Sequence, residues 1–361
     1  MTTPLATHDF DYHLPTERIA QTPIEPRDSS RLLVVDRATR ALSHHTFRDL
    51  PAFLRPGDLL VANDSRVRPA RLHARKASGG QVELLLLKPL DGVTWETLAR
   101  GHRLRPGTQL VLGDGAATAE IVGETEAGGR LVRFAAPIEP LLDRLGETPL
   151  PPYIHAKLAD PERYQTVYNR VVGSAAAPTA GLHFTPPLIA RLAEQGVDFA
   201  FVTLHVGLDT FRPVEVEDAR QHVMHSEWAE LGAATAARIN ATWSGGGRVV
   251  AVGTTAVRVL ESAALAAANI DPGQPRDFTA LTAPVARTPI AAYSGWTRLF
   301  ITPGFTFRAV DTMITNFHLP RSTLLMLVAA FTGRELMWDA YHAAIAGDYR
   351  FFSFGDAMLI L

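Results

Sequence analysis

Four stretches of the chain carry residue types that do chemistry, each where a predicted strand meets a predicted helix. They are residues 178–185 (PTAGLHFT), 205–207 (HVG), 225–227 (HSE) and 253–255 (GTT). In open α/β sheets, ligands bind outside the carboxyl ends of the strands, close to helix N-termini. Four such junctions carrying His, Thr, Gly and Glu predict one shared pocket, and therefore an enzyme.

Histidines and two carboxylates are the candidates for acid–base chemistry, because imidazole titrates near neutrality. We favour His183, His205 and His318, which lie beside Gly or Pro turns in apolar sequence. For any one histidine, a structural function is the commoner alternative. Glu227 and Asp64 are further proton-acceptor candidates; their alternatives are a helix-dipole residue and an Asx turn, respectively.

A metal site is the minority interpretation. His222 and His225 are three residues apart, which permits shared ligation. However, the chain has no cysteine and no HExxH spacing, which zinc sites commonly use. We therefore expect no metal.

The segment Gly253-Thr254-Thr255 predicts an anion or carboxylate site. Backbone N–H groups and the positive end of the helix dipole favour negative charge there. Arg258, one turn later, adds a guanidinium that binds carboxylates bidentately. The alternative is a threonine N-cap alone. Asn316 and His318 lie close together in a polar loop before an apolar helix, which makes both site candidates.

A cationic run without an intervening acid is the candidate phosphate-binding segment. In an extended chain Arg66 and Arg68 face the same side, which suits phosphate contacts. The alternative is a solvated strand face. The run comprises Arg66, Arg68, Arg71, Arg75 and Lys76, and a second cluster follows at Arg100, Arg103 and Arg105.

Composition predicts a soluble, cytoplasmic globular protein. The chain has 361 residues, of which 47% are hydrophobic and 20% charged, with a net charge of −2, so no global field attracts nucleic acid or membrane. Cysteine is absent, the N-terminus lacks an apolar signal region, and the apolar run 324–331 is too short to span a bilayer. We expect the protein to be a monomer.

The fold class predicted is α/β: a discontinuous α/β domain built from both chain ends, with an inserted small all-β barrel-like domain. Short strands between Gly- and Pro-containing turns predict the barrel within 71–133, and the proline-rich segment 139–152 is expected to be a linker. The predicted domains are 1–68 with 150–361, and 69–149. The α/β elements expected are a hairpin at 32–47, strands at 57–62, 197–206, 249–252 and 299–301, and helices at 188–195, 226–243, 256–268, 322–332 and 335–345.

Ordered motifs along nearly the whole chain resemble the S-adenosylmethionine:tRNA ribosyltransferase-isomerase family of queuosine biosynthesis. One position departs from the family pattern: Asp209 stands where a small residue, Gly or Ala, is usual. The motifs are 9–12 (DFDY), 63–66 (NDSR), 80–85 (GQVELL), 150–154 (LPPYI), 164–168 (YQTVY), 176–184 (AAPTAGLHF), 225–227 (HSE), 253–255 (GTT), 315–320 (TNFHLP) and 354–358 (FGDAM).

The resemblance implies transfer and isomerisation of the ribosyl moiety of S-adenosyl-L-methionine onto 7-aminomethyl-7-deazaguanine at the wobble position of tRNAs with a GUN anticodon. The products would be epoxyqueuosine-tRNA, adenine and methionine. It further implies that acid–base chemistry comes from Glu227, His183, His205, His318 or Asp64, and tRNA contacts from Arg66, Arg68 and Arg71. The expected cosubstrate-binding residues are Thr179, Gly181, Gly253, Thr254, Thr255, Arg258 and Asn316.

Two alternative functions, each of a different class, stay open. Asp209 prompts a catalytically lapsed tRNA-binding paralogue, which would bind tRNA without releasing adenine. The histidines prompt a metal hydrolase, which would hold stoichiometric zinc or manganese.

Overall fold

The computed structural model describes residues 5–125, 128–207, 213–274, 281–283 and 287–361. The chain forms two compact units. The first comprises Met1–Arg66, Pro151–Val171 and Ala177–Leu361, and the second Val67–Leu150 with Val172–Ala176. The α/β class with an inserted barrel is confirmed, whereas the predicted domain boundaries stay a prediction.

The described part of the first unit forms a nine-stranded mixed sheet in the order β16-β14-β13-β3-β15-β17-β18-β1-β2. Its strands are β1 (Arg31–Val35), β2 (Leu42–Thr46), β3 (Leu59–Asn63), β13 (Asp198–Leu204), β14 (Glu227–Leu231), β15 (Val249–Val252), β16 (Tyr293–Thr297), β17 (Thr312–Asn316) and β18 (Ala357–Ile360). Four adjacent strands, β13, β3, β15 and β17, run parallel. β3, β15 and β17 are buried along their whole length, as expected for parallel strands covered on both faces.

Helices and short 3-10 segments connect these strands. Helix α4 is buried over most of its length and packs against β13 and β15. The helices of this unit are α2 (Pro186–Glu194), α3 (Ala233–Ser244), α4 (Thr254–Ala267), α5 (Thr323–Thr332) and α6 (Arg334–Ala346), with 3-10 segments that include Phe47–Phe53 and Thr179–His183. Among the described residues, no helix combines the length and the apolar character needed to cross a membrane.

In the second unit, six of the described strands close into an antiparallel barrel in the order β5-β6-β7-β10-β9-β8, with β8 returning to β5. Alternating burial along β8 reflects a face packed into the barrel. The barrel strands are β5 (Arg71–Lys76), β6 (Gln81–Pro89), β7 (Thr94–Arg100), β8 (Gln109–Leu112), β9 (Ala117–Glu124) and β10 (Arg130–Phe134). Two further strands, β4 (Ser65–Val67) and β12 (Val171–Ser174), pair with each other.

The prediction of a linker at 139–152 was wrong, because much of this segment belongs to the second unit. It contains the short helix α1 (Leu142–Leu145) and strand β11 (Gly146–Glu147). Strand β11 pairs with β5 through Gly146 and Leu72.

Two element predictions in the α/β part were also wrong. Residues 227–231 form a strand with alternating burial rather than the start of a helix, and helix α3 begins only after Gly232. Residues 299–301 are buried without belonging to a strand, and the strand is Tyr293–Thr297. The apolar residues in both stretches indicate burial. A short apolar run does not show whether the buried segment is a helix, a strand or neither.

The residues predicted to begin and end helix α2 do so in the structure. Thr185 caps α2 by accepting the backbone N–H of Leu188, and Pro186 follows it. Gly196, with φ of 77°, ends the same helix.

A buried carboxylate fastens the loop that precedes β17. Glu261 of α4 is fully buried and accepts the backbone N–H groups of Arg308, Ala309 and Val310 at 2.9, 2.9 and 3.1 Å. Burial outweighs these hydrogen bonds and raises the pKa of Glu261 to about 7.

Candidate active site

Polar residues follow the parallel strands at one edge of the sheet. Because β13, β3, β15 and β17 are parallel neighbours, their carboxyl ends meet there. The residues after these ends include Asp64, His205, Gly253 and His318. Glu227 opens the antiparallel strand β14 at this edge, where the backbone N–H of His205 donates to Trp228 at 3.1 Å. Distant parts of the chain thus supply one edge, as expected.

His183 belongs to a buried hydrogen-bond chain. Its Nδ1 lies 2.7 Å from the Ser30 hydroxyl and its Nε2 lies 3.2 Å from the amide nitrogen of Asn316. An amide nitrogen only donates, so Nε2 accepts and Nδ1 carries the proton. The Asn316 oxygen in turn accepts the Thr179 hydroxyl at 3.0 Å. His183 therefore orients Asn316, and through it Thr179.

Burial keeps both His183 and His318 neutral. Burial, with a smaller effect from Arg350 and Arg27, lowers the pKa of His183 to about 3. Burial alone lowers the pKa of His318 to about 3. The Nε2 atom of His318 lies 2.7 Å from the Thr315 hydroxyl, and its carbonyl accepts the hydroxyl of Tyr12. The N-terminal motif 9–12 thus contributes to holding this loop.

Asp64 and Asn63 tie β3 to β13. The Asp64 carboxylate accepts Arg170 Nη2 and the Thr203 hydroxyl, each at 2.7 Å. Asn63 bonds to the backbone of Leu204 through both its amide atoms, at 3.0 and 3.1 Å. Its oxygen also accepts the backbone N–H of Ser65, so the Asx turn is formed by Asn63 and not by Asp64.

Glu227 lies in a buried ionic cluster. One carboxylate oxygen pairs with Arg258, and the other accepts Gly207 N–H at 3.0 Å and lies 3.2 Å from His225 Nε2. Glu227 and Arg258 are only 3% and 6% exposed. Burial alone would raise the pKa of Glu227, but Arg258 and His225 outweigh it and lower that pKa to about 2. Glu227 is therefore a fixed anion that orients Arg258 and His225. The helix-dipole explanation does not apply, because Glu227 begins a strand.

The GTT segment is a glycine-capped helix start. Gly253 precedes α4 with φ of 87°, a conformation that favours glycine, and no side chain caps the helix. The alternative of a threonine N-cap is therefore wrong. The Thr255 hydroxyl is buried and has no hydrogen-bond partner within the described residues. An unsatisfied buried hydroxyl at a helix N-terminus suits a bound polar ligand.

Gly181 allows the Tyr168 hydroxyl to approach the backbone. A Cβ atom at Gly181 would lie 2.1 Å from that hydroxyl and 2.8 Å from Thr166 Cγ2. Tyr168 belongs to the 164–168 motif, which sequence reasoning left without a function. Tyr168 and Gly181 are 13 positions apart, so no local sequence pattern predicts that they are in contact.

Replacing Gly181 by Ala should destabilise the protein by about 1–3 kcal/mol, because the added methyl group overpacks this contact. Adding Tyr168→Phe removes the clashing oxygen and should recover part of the loss. Urea unfolding measures both, with Gly92→Ala as the control, since nothing lies within 4 Å of a Cβ there. Unchanged stability of Gly181→Ala would contradict the close approach.

The cationic run contains no acidic residue in the sequence, but in the fold acidic side chains lie close to two of its arginines. Arg66, in the first unit, pairs with Glu162 and donates to Asn169 at 2.6 Å. In the second unit, the guanidinium carbon of Arg68 lies 4.9 Å from the Trp95 ring centroid, and Arg71 lies 3.8 Å from Glu83. Each of the three arginines thus already has an intramolecular contact.

An apolar cleft adjoins the ionic cluster. The cleft is small, and His225 and Arg258 form its polar end. The other lining residues are Met224, Leu299, Phe300, Ile301, Thr323, Leu324 and Leu327. His225 was expected at the pocket through the 225–227 motif and was one of the histidines considered for acid–base chemistry, but it was not among the three favoured for it. In the described parts of the chain, no group of three or more His, Asp or Glu side chains is placed to hold a metal ion. Asp209 lies outside the described residues.

This site, built from strand ends, a helix start and a buried ion pair beside an apolar cleft, is typical of ligand-binding α/β enzymes. The chain belongs to the family described as queuosine biosynthesis protein, whose sequence profile matches residues 7–360. The family resemblance, and with it an enzyme, is thereby confirmed.

Named relatives agree over nearly the full length. Proteins named S-adenosylmethionine:tRNA ribosyltransferase-isomerase from Symbiobacterium thermophilum and Moorella thermoacetica are 56% and 55% identical, each covering 98% of this chain and 99% of the relative. The crystal structure of S-adenosylmethionine tRNA ribosyltransferase from Thermotoga maritima has a TM-score of 0.53 and 41% identity, and the match covers 98% of this chain and 100% of that one.

Proposed function

We propose that this protein transfers and isomerises the ribosyl moiety of S-adenosyl-L-methionine onto 7-aminomethyl-7-deazaguanine at the tRNA wobble position. The products are epoxyqueuosine-tRNA, adenine and methionine. The observation that carries the proposal is the identity of 52–56% to the named ribosyltransferase-isomerases across 98% of the chain.

The cosubstrate fits the sheet edge, where two buried polar atoms lack hydrogen-bond partners among the described residues. These are the Thr255 hydroxyl and Arg258 Nη2. Because buried polar groups are normally satisfied, a polar ligand is expected to complete them. The residues proposed to hold S-adenosyl-L-methionine are Thr179, Gly181, Gly253, Thr254, Thr255, Arg258 and Asn316.

The sulfonium makes a modest base sufficient, because its positive charge acidifies the adjacent ribose carbon. No other cofactor is required by this chemistry. Glu227, Asp64, His183 and His318 make the side-chain bonds described above, and we infer that they mainly position other groups. We propose His205 as the base because it directly follows the carboxyl end of β13, where ligands of open α/β sheets bind.

The tRNA partner would carry a GUN anticodon and meet Arg66, Arg68 and Arg71. Since Arg66 and Arg71 lie near Glu162 and Glu83, phosphates would have to replace carboxylates as their partners. We propose that the enzyme acts in the cytoplasm, together with its tRNA substrate, and that it acts as a monomer.

Incubating the protein with S-adenosyl-L-methionine and tRNA bearing 7-aminomethyl-7-deazaguanine should yield epoxyqueuosine by nucleoside mass spectrometry, with one adenine released per modified nucleoside. S-adenosylhomocysteine is the matched control, because it lacks the sulfonium and should give neither product. Binding of the tRNA without adenine release would favour the lapsed paralogue instead.

A further inference from the structure

The hydroxyl of Thr179 has a fixed polarity, because the amide of its partner Asn316 cannot be reversed. The amide nitrogen of Asn316 lies 3.2 Å from His183 Nε2. It also lies 3.3 and 3.5 Å from the carbonyl oxygens of Phe352 and Asp356, which only accept hydrogen bonds. The amide oxygen therefore faces Thr179, whose hydroxyl donates to it at 3.0 Å. The Thr179 oxygen is left to accept a hydrogen bond from a ligand.

Ser30 holds the other end of this chain of hydrogen bonds. Its side chain is fully buried, and its hydroxyl oxygen lies 2.7 Å from His183 Nδ1. Because Nε2 accepts from Asn316, Nδ1 carries the proton and donates to Ser30. The opposite tautomer would set an N–H of His183 against the amide nitrogen of Asn316. Ser30 thus selects the tautomer of His183 that keeps Asn316 in place, although none of the family motifs includes Ser30.

Thr179 lies at the site proposed for the cosubstrate. It is half-buried and begins the 3-10 segment Thr179–His183. A Cβ atom at Gly253, which precedes α4, would lie 3.5 Å from the Cβ of Ala180, the residue after Thr179. Thr179 is therefore a neighbour of the glycine-capped helix start.

A ribose hydroxyl is the donor of the cosubstrate that fits this acceptor best. S-adenosyl-L-methionine has three kinds of hydrogen-bond donor: the ammonium, the adenine amino group and the ribose hydroxyls. The charges of Arg350 and Arg27 both lower the pKa of His183, so a further positive group such as the ammonium is disfavoured here. The adenine amino group leaves with adenine, whereas the ribosyl moiety must be held until it has been transferred.

We propose that Thr179 accepts a hydrogen bond from a ribose hydroxyl of S-adenosyl-L-methionine, and that Ser30 and His183 are positioning residues that fix its polarity through Asn316; this assignment rests on the proposed function. A hydrogen bond from the ribose orients the moiety that reacts, and correct orientation is a large part of catalysis.

The test compares S-adenosyl-L-methionine with its 2′-deoxy and 3′-deoxy analogues by calorimetry. The full chain is used together with a GUN tRNA that carries guanine at the wobble position and therefore cannot react. Wild type should bind the analogue that lacks the contacting hydroxyl roughly five- to tenfold more weakly than S-adenosyl-L-methionine, through one lost hydrogen bond. Thr179→Val should bind both compounds equally, at the weaker affinity. Thr179→Ser keeps the hydroxyl and should restore the discrimination.

Ser30→Ala tests the positioning residues. It should weaken the binding of S-adenosyl-L-methionine about two- to threefold in the wild-type background and not at all in Thr179→Val, because the two residues act on one contact. Ser43→Ala is the matched control, since its hydroxyl also lies beside a histidine, 2.9 Å from His45 Nε2, but on strand β2. It should bind as wild type does. Equal effects of Ser30→Ala in both backgrounds would show a purely structural role.

The outcomes separate this proposal from the proposed function. If wild type forms epoxyqueuosine but binds both deoxy analogues as tightly as S-adenosyl-L-methionine, the ribose assignment is wrong and the reaction stands. The same holds if Thr179→Val weakens all three compounds equally, because Thr179 then contacts another donor. If the discrimination depends on Thr179 but no modified nucleoside forms, the assignment stands and the reaction is wrong. Failure of wild type to bind S-adenosyl-L-methionine would overturn both.

Discussion

Glu227→Gln should lower the free energy of unfolding by about 3–5 kcal/mol, because it leaves the guanidinium of Arg258 buried without its counter-charge. Arg258 is 6% exposed, so water does not replace the lost carboxylate. The same substitution releases His225 from its 3.2 Å contact. Misplaced groups at a reacting centre cost about 10²-fold in rate, so turnover should fall at least that far. Urea unfolding and the rate of adenine release measure the two effects.

The double variant Glu227→Gln/Arg258→Met separates stability from activity. Removing both charges should restore most of the lost stability, because no charge is then left buried without its counter-charge. Turnover should stay low, because Arg258, which is proposed to hold S-adenosyl-L-methionine, is gone. Glu230→Gln, on the same strand but exposed, is the control and should change stability by less than about 0.5 kcal/mol. A double variant as unstable as Glu227→Gln would show that the pairing is not what stabilises this region.

Local sequence signals predicted much of the architecture. Turn residues marked the barrel, and its strands β5 to β10 occupy 71–134, close to the predicted segment 71–133. Thr185-Pro186 marked the start of α2, because capping depends on neighbouring residues only. The prediction of a helix at residues 227–231 was wrong because a short amphipathic stretch is compatible with a helix or a strand until its sheet partners are known.

The arrangement of the site was less predictable, since its partners are distant in sequence. Asp64 meets Arg170 across 106 positions, and His183 meets Asn316 across 133. Motifs marked the candidate residues, but not the ion pair between Glu227 and Arg258. Burial likewise lowers the pKa of His183 and His318, and no property of the sequence states how deeply a histidine is buried.

Acidification should destabilise the protein through His183 and His318. Their native pKa values are about 3, whereas histidines in the unfolded chain titrate near 6.5. Between these values the unfolded state binds more protons, so the contribution of both residues is fully present above about pH 6.5 and is lost as the pH falls below it. This is the sign expected of histidines that are buried neutral.

Glu261 opposes this trend. Its native pKa of about 7 lies above the ordinary 4.5, so between these values the native state holds a proton that the unfolded state releases. The unfolded state thus binds two protons more at the histidines and one fewer at Glu261, which is a net excess of one proton over the native state. Stability should therefore fall by about 1.4 kcal/mol per pH unit between about pH 6 and pH 5.

Two variants should change this slope in opposite directions. His318→Gln removes one histidine proton and should leave the stability nearly independent of pH in that interval. Glu261→Gln removes the opposing group and should steepen the slope to about 2.7 kcal/mol per pH unit. Asp356, whose pKa burial also raises, is common to all three proteins, so comparing their slopes cancels its effect. Urea unfolding at several pH values gives the slopes. Equal slopes in the three proteins would mean that His318 and Glu261 titrate in the native state as they do in the unfolded chain, and that burial does not control their charge.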